Sequence, residues 1–191
     1  MNKKCLIING SPNINGNTNY LINLFIKQYC YEVSIVNAFP INNKGISSCI
    51  DCGSCCQHPL CILDDDFKLL TNDDYDLILI FSPIYMSNLP GPMINIINRF
   101  NFIYNNKKYL NHIPYFKQKK AGLILLGGGQ SCKDLEINSN EYLAIKQAHY
   151  IFKNLNATLD DIILCLNTDT VNIKDNLIII EQIKNLAKKY S

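Results

Sequence analysis

Hydrophobic residues along the chain form short apolar runs that alternate with segments of helical periodicity. The five apolar runs, each of a length typical of a strand buried on both faces, are residues 4–9, 33–36, 75–82, 121–126 and 162–166. The four main segments with helical spacing are residues 17–30, 93–100, 141–155 and 175–189. Strands that alternate with helices predict an α/β fold, in which helices cover both faces of a parallel sheet.

The loops after the first, third and fourth strands are the expected ligand site, because ligands bind beyond the carboxyl ends of such strands. Residues 10–19 are rich in Gly, Ser, Asn and Thr and lead into a helix. Helix-start amides and hydroxyls hold phosphate without a cation. The loop has neither a Walker A ending nor the Gly-x-Gly-x-x-Gly pattern, and an ordinary capped turn is the alternative interpretation.

The other two loops favour a flat ligand. Residues 82–92 are flanked by prolines and carry Tyr85 and Met86, which together offer an apolar wall. Residues 127–131 begin with three glycines, which allow the backbone to approach a planar group closely. The three loops therefore predict one site for a phosphate-bearing, planar ligand.

A cysteine-rich loop, at about residues 46–63, is the sharpest local signal. It holds five of the nine cysteines of the chain: Cys49, Cys52, Cys55, Cys56 and Cys61. Its spacing brings four thiolates within reach of one centre, as cubane iron–sulfur clusters require. Two alternatives stay open. A structural zinc ion would take four ligands from these cysteines and His58, or the thiols hold no metal and remain free or form a redox disulfide.

These segments resemble the flavodoxin-like NAD(P)H-dependent FMN reductases and, within them, the iron–sulfur flavoproteins. The segments that carry the resemblance are Gly10-Ser11-Pro12, Gly16-Asn17-Thr18, Ser82-Pro83-Ile84-Tyr85, Pro90-Gly91-Pro92-Met93, Asn98-Arg99 and residues 127–129. The resemblance implies a single FMN-binding domain over residues 1–191. It also implies a three-layer sandwich whose five-stranded parallel sheet has the order 2-1-3-4-5. Residues 101–119 and 131–140 match nothing in the family, so substrate identity does not transfer.

The resemblance also implies the roles of particular residues. The FMN phosphate would be held by Ser11, Asn13, Asn17, Thr18 and Asn19. The isoalloxazine ring would be lined by Pro83, Ile84, Tyr85, Met86 and Asn88, with Gly128 and Gly129 on its far side. The ligands of a [4Fe-4S] cluster would be Cys49, Cys52, Cys55 and Cys61, and Cys56 is an extra thiol.

Composition and charge restrict the partners. The formal net charge is +2 and Arg99 is the only arginine, so neither a nucleic-acid surface nor a guanidinium clamp on phosphate is expected. No apolar run approaches the length of a membrane span, and the cysteine usage favours the cytoplasm. The resemblance implies a homodimer or homotetramer.

The sequence thus predicts an FMN-dependent oxidoreductase in which a cluster relays electrons to or from FMN. NAD(P)H and ferredoxin are the candidate donors, with another redox protein or a small molecule as acceptor. One alternative is a cluster-free NAD(P)H-dependent FMN, quinone or nitro-compound reductase. Another is an electron carrier like flavodoxin, against which the slightly basic charge weighs. A third is a non-enzymatic regulatory or zinc-binding protein on this fold.

Three further expectations concern residues outside these motifs. Cys5, Cys30 and Cys165 lie in apolar surroundings and are expected in the core, whereas Cys132 follows the glycine loop. The acidic run at residues 64–66 is expected to begin a helix rather than to bind a metal. Residues 101–119 are expected to be irregular.

Overall fold

The computed structural model describes residues 3–40, 45–72, 74–129, 139 and 141–191. Its five strands are β1 (Lys4–Asn9), β2 (Glu32–Asn37), β3 (Leu77–Pro83), β4 (Lys119–Leu126) and β5 (Ala157–Cys165). Its α-helices are α1 (Asn17–Gln28), α2 (Phe67–Thr71), α3 (Gly91–Arg99), α4 (Asn101–Asn105), α5 (Tyr142–Asn154) and α6 (Leu177–Tyr190). None of the helices within these residues has the length and apolar character that a membrane crossing requires.

The strands form one parallel sheet in the order β2-β1-β3-β4-β5. Alternate residues of the buried strands point to opposite faces: Leu6 and Ile8 pack against the side covered by α2, α3 and α5. Cys5 and Ile7 pack on the other side, beneath α1 and α6. The predicted order and the flavodoxin-like α/β fold are confirmed.

Hydrogen bonds between neighbouring strand ends align the loops that the sequence singles out. Gly10 N–H donates to the Phe81 carbonyl at 2.8 Å, and Ile84 N–H donates to the Leu126 carbonyl at 2.7 Å. Gly127 N–H in turn donates to the Cys165 carbonyl at 3.0 Å. The loops after β1, β3 and β4 therefore leave the same edge of the sheet, as predicted.

Two expectations are wrong. Residues 101–119 are not irregular throughout, because α4 and a π-helical turn (Asn106–Leu110) occupy their first half. Phe102 and Asn106 are the buried side chains of residues 101–110, and their apolar and amide contacts order a stretch whose composition is mostly polar. Cys30 is exposed rather than in the core, because it lies beyond the last turn of α1. Cys5 and Cys165 are buried as expected.

Strand β5 begins five residues earlier than its apolar run. Its first half alternates between half-buried and exposed positions, as an edge strand does, and Asp160 and Asp161 lie within it. The helix expected after residues 64–66 is confirmed as α2: the Asp65 carboxylate accepts from Phe67 N–H at its start.

Candidate functional site

The loop between β1 and α1 is shaped by asparagine side chains. Asn9, buried at the end of β1, donates to the Asn37 side chain at 2.9 Å and accepts from Ser11 N–H at 3.0 Å. Asn19 Nδ2 donates to the Asn13 carbonyl at 2.8 Å. The side chains of Asn13 and Asn19 thus hold the loop in its conformation, since Asn13 also accepts from Asn15 N–H.

The start of α1 provides unused backbone donors. Gly16 occupies the N-cap position and makes no side-chain capping hydrogen bond, and the first turn contains no acidic residue. Two hydroxyl-bearing residues at this end of the sheet, Ser11 and Thr18, are buried, with 5% and 3% of each residue exposed. An uncapped helix N-terminus with adjacent hydroxyls is suited to bind an anion.

A tight turn follows β3. Tyr85 and Asn88 exchange backbone hydrogen bonds of 2.9 and 3.0 Å, and Met86 and Ser87 between them adopt left-handed conformations. Gln147 on α5 fixes this turn, because its amide oxygen accepts from Leu89 N–H at 2.8 Å. The turn exposes Tyr85 and especially Met86, which is 93% exposed.

The glycines after β4 pack closely against the segment after β5. Asn167 N–H donates to the Gly129 carbonyl and Thr168 N–H to the Gly127 carbonyl. A Cβ at Gly128 would collide with the carboxylate of Asp169. Asp169 is exposed and its carboxylate can rotate, so this contact restricts the residue at position 128 only weakly. Gln130, Ser131 and Cys132 lie outside the described residues.

The turn after β3 and the glycines after β4 enclose an open cleft of about 280 Å³. Ile84, Met86 and Ser87 form one wall, and Leu166 with residues 127–129 forms the other. Asn88 is not in the wall: its side chain donates to the Met86 carbonyl and accepts from Gln147. Asn88 therefore orders the turn rather than lining the cleft directly.

The cysteine-rich loop surrounds a second cavity. The four cysteines expected to bind a cluster all line it: Cys49, Cys52, Cys55 and Cys61. Cys56 lies outside the wall, in accord with its expected role as an extra thiol. Left-handed conformations at Asp51 and Gly53 turn the chain between the first three cysteines. A hydrogen bond with the Ser54 hydroxyl lowers the pKa of the Cys52 thiol.

The opposite wall of the cysteine cavity comes from α3 and α4. Asn105 Nδ2 donates a hydrogen bond of 3.1 Å to Cys55 Sγ, and Phe102 adds apolar surface. Arg99 also lines the cavity and is 1% exposed. Its guanidinium donates to Asp65 Oδ2 at 2.6 Å and to the Ser47 carbonyl at 3.1 Å.

The Asp65 carboxyl is held ionised by these contacts. Burial opposes ionisation, but hydrogen bonds from Arg99 and from the backbone N–H groups of Ser47 and Phe67 outweigh it and lower the pKa of Asp65. Through Asp65 and the Ser47 carbonyl, Arg99 joins the end of α3 to the start of α2 and to the cysteine-rich loop. Within the described residues, no three His, Cys, Asp or Glu side chains converge on a single point as ligands of one metal ion would.

Several residues of the site carry no motif that singles them out. Asn9, Gln147, Asp65 and Asn105 act through partners that are distant in sequence. For Asn9 alone the sequence offers a signal of a functional role: it is the polar residue at the end of the apolar strand β1.

The fold and the two cavities define a flavodoxin-like α/β protein with a cysteine-lined site. Residues 3–158 match the NADPH-dependent FMN reductase family. The chain therefore belongs to this family of FMN-dependent oxidoreductases, as its sequence motifs predict.

Relatives and solved structures agree with this placement. The chain is 27% identical to an iron–sulfur flavoprotein of Archaeoglobus fulgidus over 66% of its own length and 55% of the relative's. It is 28% identical to an iron–sulfur flavoprotein of Methanosarcina thermophila over 65% and 63%. These matches span little more than half of the relatives. An FMN-dependent NADH-azoreductase from Bacillus anthracis, solved in complex with FMN, has the same fold, with a TM-score of 0.69, 12% identity and coverage of 98% and 99%.

Proposed function

We propose that this chain is an FMN-dependent oxidoreductase in one domain, with the FMN phosphate at the N-terminus of α1. The uncapped start of that helix is the observation that carries the placement. Backbone N–H groups of Asn17, Thr18 and Asn19 would meet the phosphate, together with the buried hydroxyls of Ser11 and Thr18. Asn13 and Asn19 would act mainly by shaping the loop around it.

The isoalloxazine ring would lie in the cleft between the turn after β3 and the glycines after β4. Ile84 and Met86 offer an apolar wall there, and Gly128 and Gly129 offer backbone without side chains. Pro83 and Tyr85 flank the same wall, and Asn88 holds the turn in place. When bound, FMN would supply the redox chemistry, and the chain would orient the ring and present backbone N–H groups to its polar edge.

The four cysteines that line the second cavity are the ligand set that a [4Fe-4S] cluster takes. Such a cluster needs four thiolates around a volume, whereas a zinc ion needs four ligands around a point. Cys49, Cys52, Cys55 and Cys61 line one cavity, without the convergence on a point described above. A zinc ion would draw on the same cysteines, so the iron and acid-labile sulfide assays decide between the two.

The loops of the two sites follow neighbouring strands of the sheet. The cysteine-rich loop follows β2, and Asn37 at the end of β2 is hydrogen-bonded to Asn9 beside the phosphate loop. A flavin exchanges two electrons and a cluster exchanges one, so a chain that holds both would connect a hydride donor to one-electron partners. NADPH is the donor favoured by the family, with ferredoxin as the alternative.

A second copy of the chain would cover the mouth of the FMN cleft. Met86 and Tyr85 are apolar or aromatic side chains at that mouth, 93% and 48% exposed. Burying them against a partner subunit would remove this surface from water. A homodimer is therefore the proposed assembly, with a homotetramer as its extension.

The deciding experiment is an absorption spectrum of the anaerobically purified protein, with assays of FMN, iron and acid-labile sulfide. Flavin bands above a broad brown absorbance, with about four iron atoms per chain, would support the full proposal. Flavin without iron and sulfide would leave a cluster-free reductase. A protein that takes up no FMN, even when FMN is added, would contradict the function proposed.

The donor is tested by stopped-flow reduction of the holoprotein. Rapid bleaching of the flavin bands by NADPH alone is the expected result. Reduction only by reduced ferredoxin would overturn NADPH as the donor while leaving the FMN site intact.

A further inference from the structure

Arg99 is one of the few charged side chains that are buried among the described residues. It is the only arginine in the sequence, and it is 99% removed from solvent at the end of α3. One nitrogen, Nη1, serves both Asp65 and the Ser47 carbonyl. The guanidinium also lies over the Phe67 ring, 4.6 Å from its centroid.

The other edge of the guanidinium is unused. Nε and Nη2 of Arg99 are buried and have no hydrogen-bond partner among the described residues. Buried donors are nearly always paired in folded proteins, because an unpaired buried donor loses its hydration without compensation. An arginine edge with two unpaired N–H groups therefore indicates an acceptor that occupies the adjacent space.

Arg99 borders a cleft beside α2, and it also borders the cysteine cavity. Arg99 lines it together with all four of the proposed ligand cysteines. A second donor, Asn105 Nδ2, already contacts a sulfur there, at 3.1 Å from Cys55 Sγ. The α3–α4 wall thus contributes one cation and one amide to a cavity whose other side is lined by cysteines.

We propose that Arg99 is a cofactor-contacting residue, which donates from Nε and Nη2 to sulfur atoms of an anionic iron–sulfur cluster and raises its reduction potential. This proposal rests on the cluster proposed above. Arginine suits the position because its planar fork can bind Asp65 with one nitrogen and sulfur with the others, whereas lysine offers a single point charge.

The expected effect on potential follows from charge. Each reduction adds one electron, supplied by the reductant, to a group that is already anionic, and no bond is made or broken. A neighbouring positive charge and N–H donors to sulfur stabilise the reduced form. The Asp65 carboxylate lowers the reduction potential, because its negative charge partly neutralises Arg99.

Substitutions of the two partners therefore shift the potential in opposite directions. Arg99→Gln removes the charge and lowers the potential, while Asp65→Asn leaves the charge uncompensated and raises it. Ser47 N–H donates to Asp65 Oδ2 and Phe67 N–H to Oδ1, so Asn keeps an acceptor oxygen for one of these two donors. Arg99→Lys keeps the charge but loses the fork, so its potential falls between those of Arg99→Gln and the wild type.

The test is a dithionite titration of the anaerobic holoprotein, in which the reduced cluster is monitored by electron paramagnetic resonance. Arg99→Gln should change the ratio of reduced to oxidised cluster at least tenfold at a fixed potential, which corresponds to about 59 mV for one electron. The control is Lys68→Gln, which removes an exposed lysine paired with Asp64 and should leave the potential unchanged.

The outcomes separate the two proposals. A wild-type protein without iron and sulfide would overturn the cluster and, with it, the role of Arg99. An Arg99→Gln protein with full iron and sulfide and the wild-type potential would overturn only the role of Arg99. If Arg99→Gln fails to fold, Asp65→Asn decides, and a potential at or below that of the wild type would overturn the proposal.

Discussion

The side-chain amide of Gln147 donates a hydrogen bond of 2.9 Å to Oδ1 of Asn88, 59 positions earlier in the chain. The oxygen of the same amide accepts from Leu89 N–H. Helix α5 therefore holds the turn after β3 through both the nitrogen and the oxygen of one side-chain amide. The proposed flavin wall owes its position to a helix that contributes nothing to the wall itself.

Replacing Gln147 with Ala should weaken FMN binding about tenfold. Two hydrogen bonds of about 1 kcal/mol each would be lost, and part of that loss would appear as disorder of the turn in the free protein. Isothermal titration of apoprotein with FMN measures the effect. Lys146→Ala, at an exposed neighbouring position on α5, is the matched control. Equal affinities of the two variants would contradict the positioning role.

Loss of donors at the start of α1 should weaken FMN binding more than loss of any one side chain of the ring site. The double variant Asn17→Ala with Thr18→Ala removes a helix-start side chain and a buried hydroxyl. No lysine or arginine in residues 10–19 compensates. Flavin titration should show at least a tenfold loss of affinity, whereas Thr18→Ser, which keeps the hydroxyl, should stay near wild type. Unchanged affinity of the double variant would place the phosphate elsewhere.

Gly128→Ala should destabilise the fold by about 1 kcal/mol or less, because the new methyl group meets the end of the exposed Asp169 side chain, which can rotate away. The backbone there is held by the hydrogen bonds between the segments after β4 and β5. Urea unfolding of FMN-free protein measures the change without any contribution from the ligand. Gly91→Ala is the control, because a methyl group there meets no atom within 4 Å. Combining Gly128→Ala with Asp169→Gly should restore stability if the collision is the cause.

Asp65 should stabilise the fold above the usual pKa of a free aspartate and lose that contribution in acid. Because its pKa is lowered in the folded state, protonation favours unfolding as the pH falls from about 4 through the folded-state pKa. Asp65→Asn should be about 2 kcal/mol less stable than the wild type at pH 7. The difference should shrink at pH 3. Asp64→Asn, which alters an exposed carboxylate, should show neither effect. A difference that is independent of pH would refute the assignment.

Cys52→Ser should abolish iron binding and leave FMN bound, because Cys52 lines the cysteine cavity and the FMN cleft uses other residues. Cys56→Ser is the matched control, adjacent in the loop but outside the cavity wall. Iron and FMN assays on both proteins, purified anaerobically, measure the contrast. Equal iron loss in both would mean that the loop binds metal differently from the proposed set.

The sequence predicted the parts of the fold that depend on local pattern. Apolar runs specify β1, β3 and β4 because both faces of these strands are buried, so no polar position interrupts them. β5 was predicted only in its second half. As an edge strand it carries Asp160 at an exposed position and Asp161 at a half-buried one, and the pattern there is typical of no single element.

The sequence also predicts that the cysteines lie close together, because they are only a few positions apart along the chain. The opposite wall of the cysteine cavity could not be predicted in that way. Arg99 and Asn105 reach the cavity through the packing of α3 and α4 against the loop, and the mostly polar composition of residues 101–119 gave no sign of α4. The partnership of Arg99 with Asp65 joins positions 34 residues apart. Such pairings depend on the tertiary structure and have no periodicity to reveal them.

The loop at residues 10–19, built from asparagine, serine and glycine around an uncapped helix, also determines how the protein responds to salt. It would bind phosphate through oriented dipoles at hydrogen-bond distance rather than through mobile cationic side chains. Screening by ions acts most strongly on charges separated by about 10 Å or more at 0.1 M. The affinity for FMN should therefore stay nearly constant as ionic strength rises, so that the flavin remains bound across a wide range of salt concentrations.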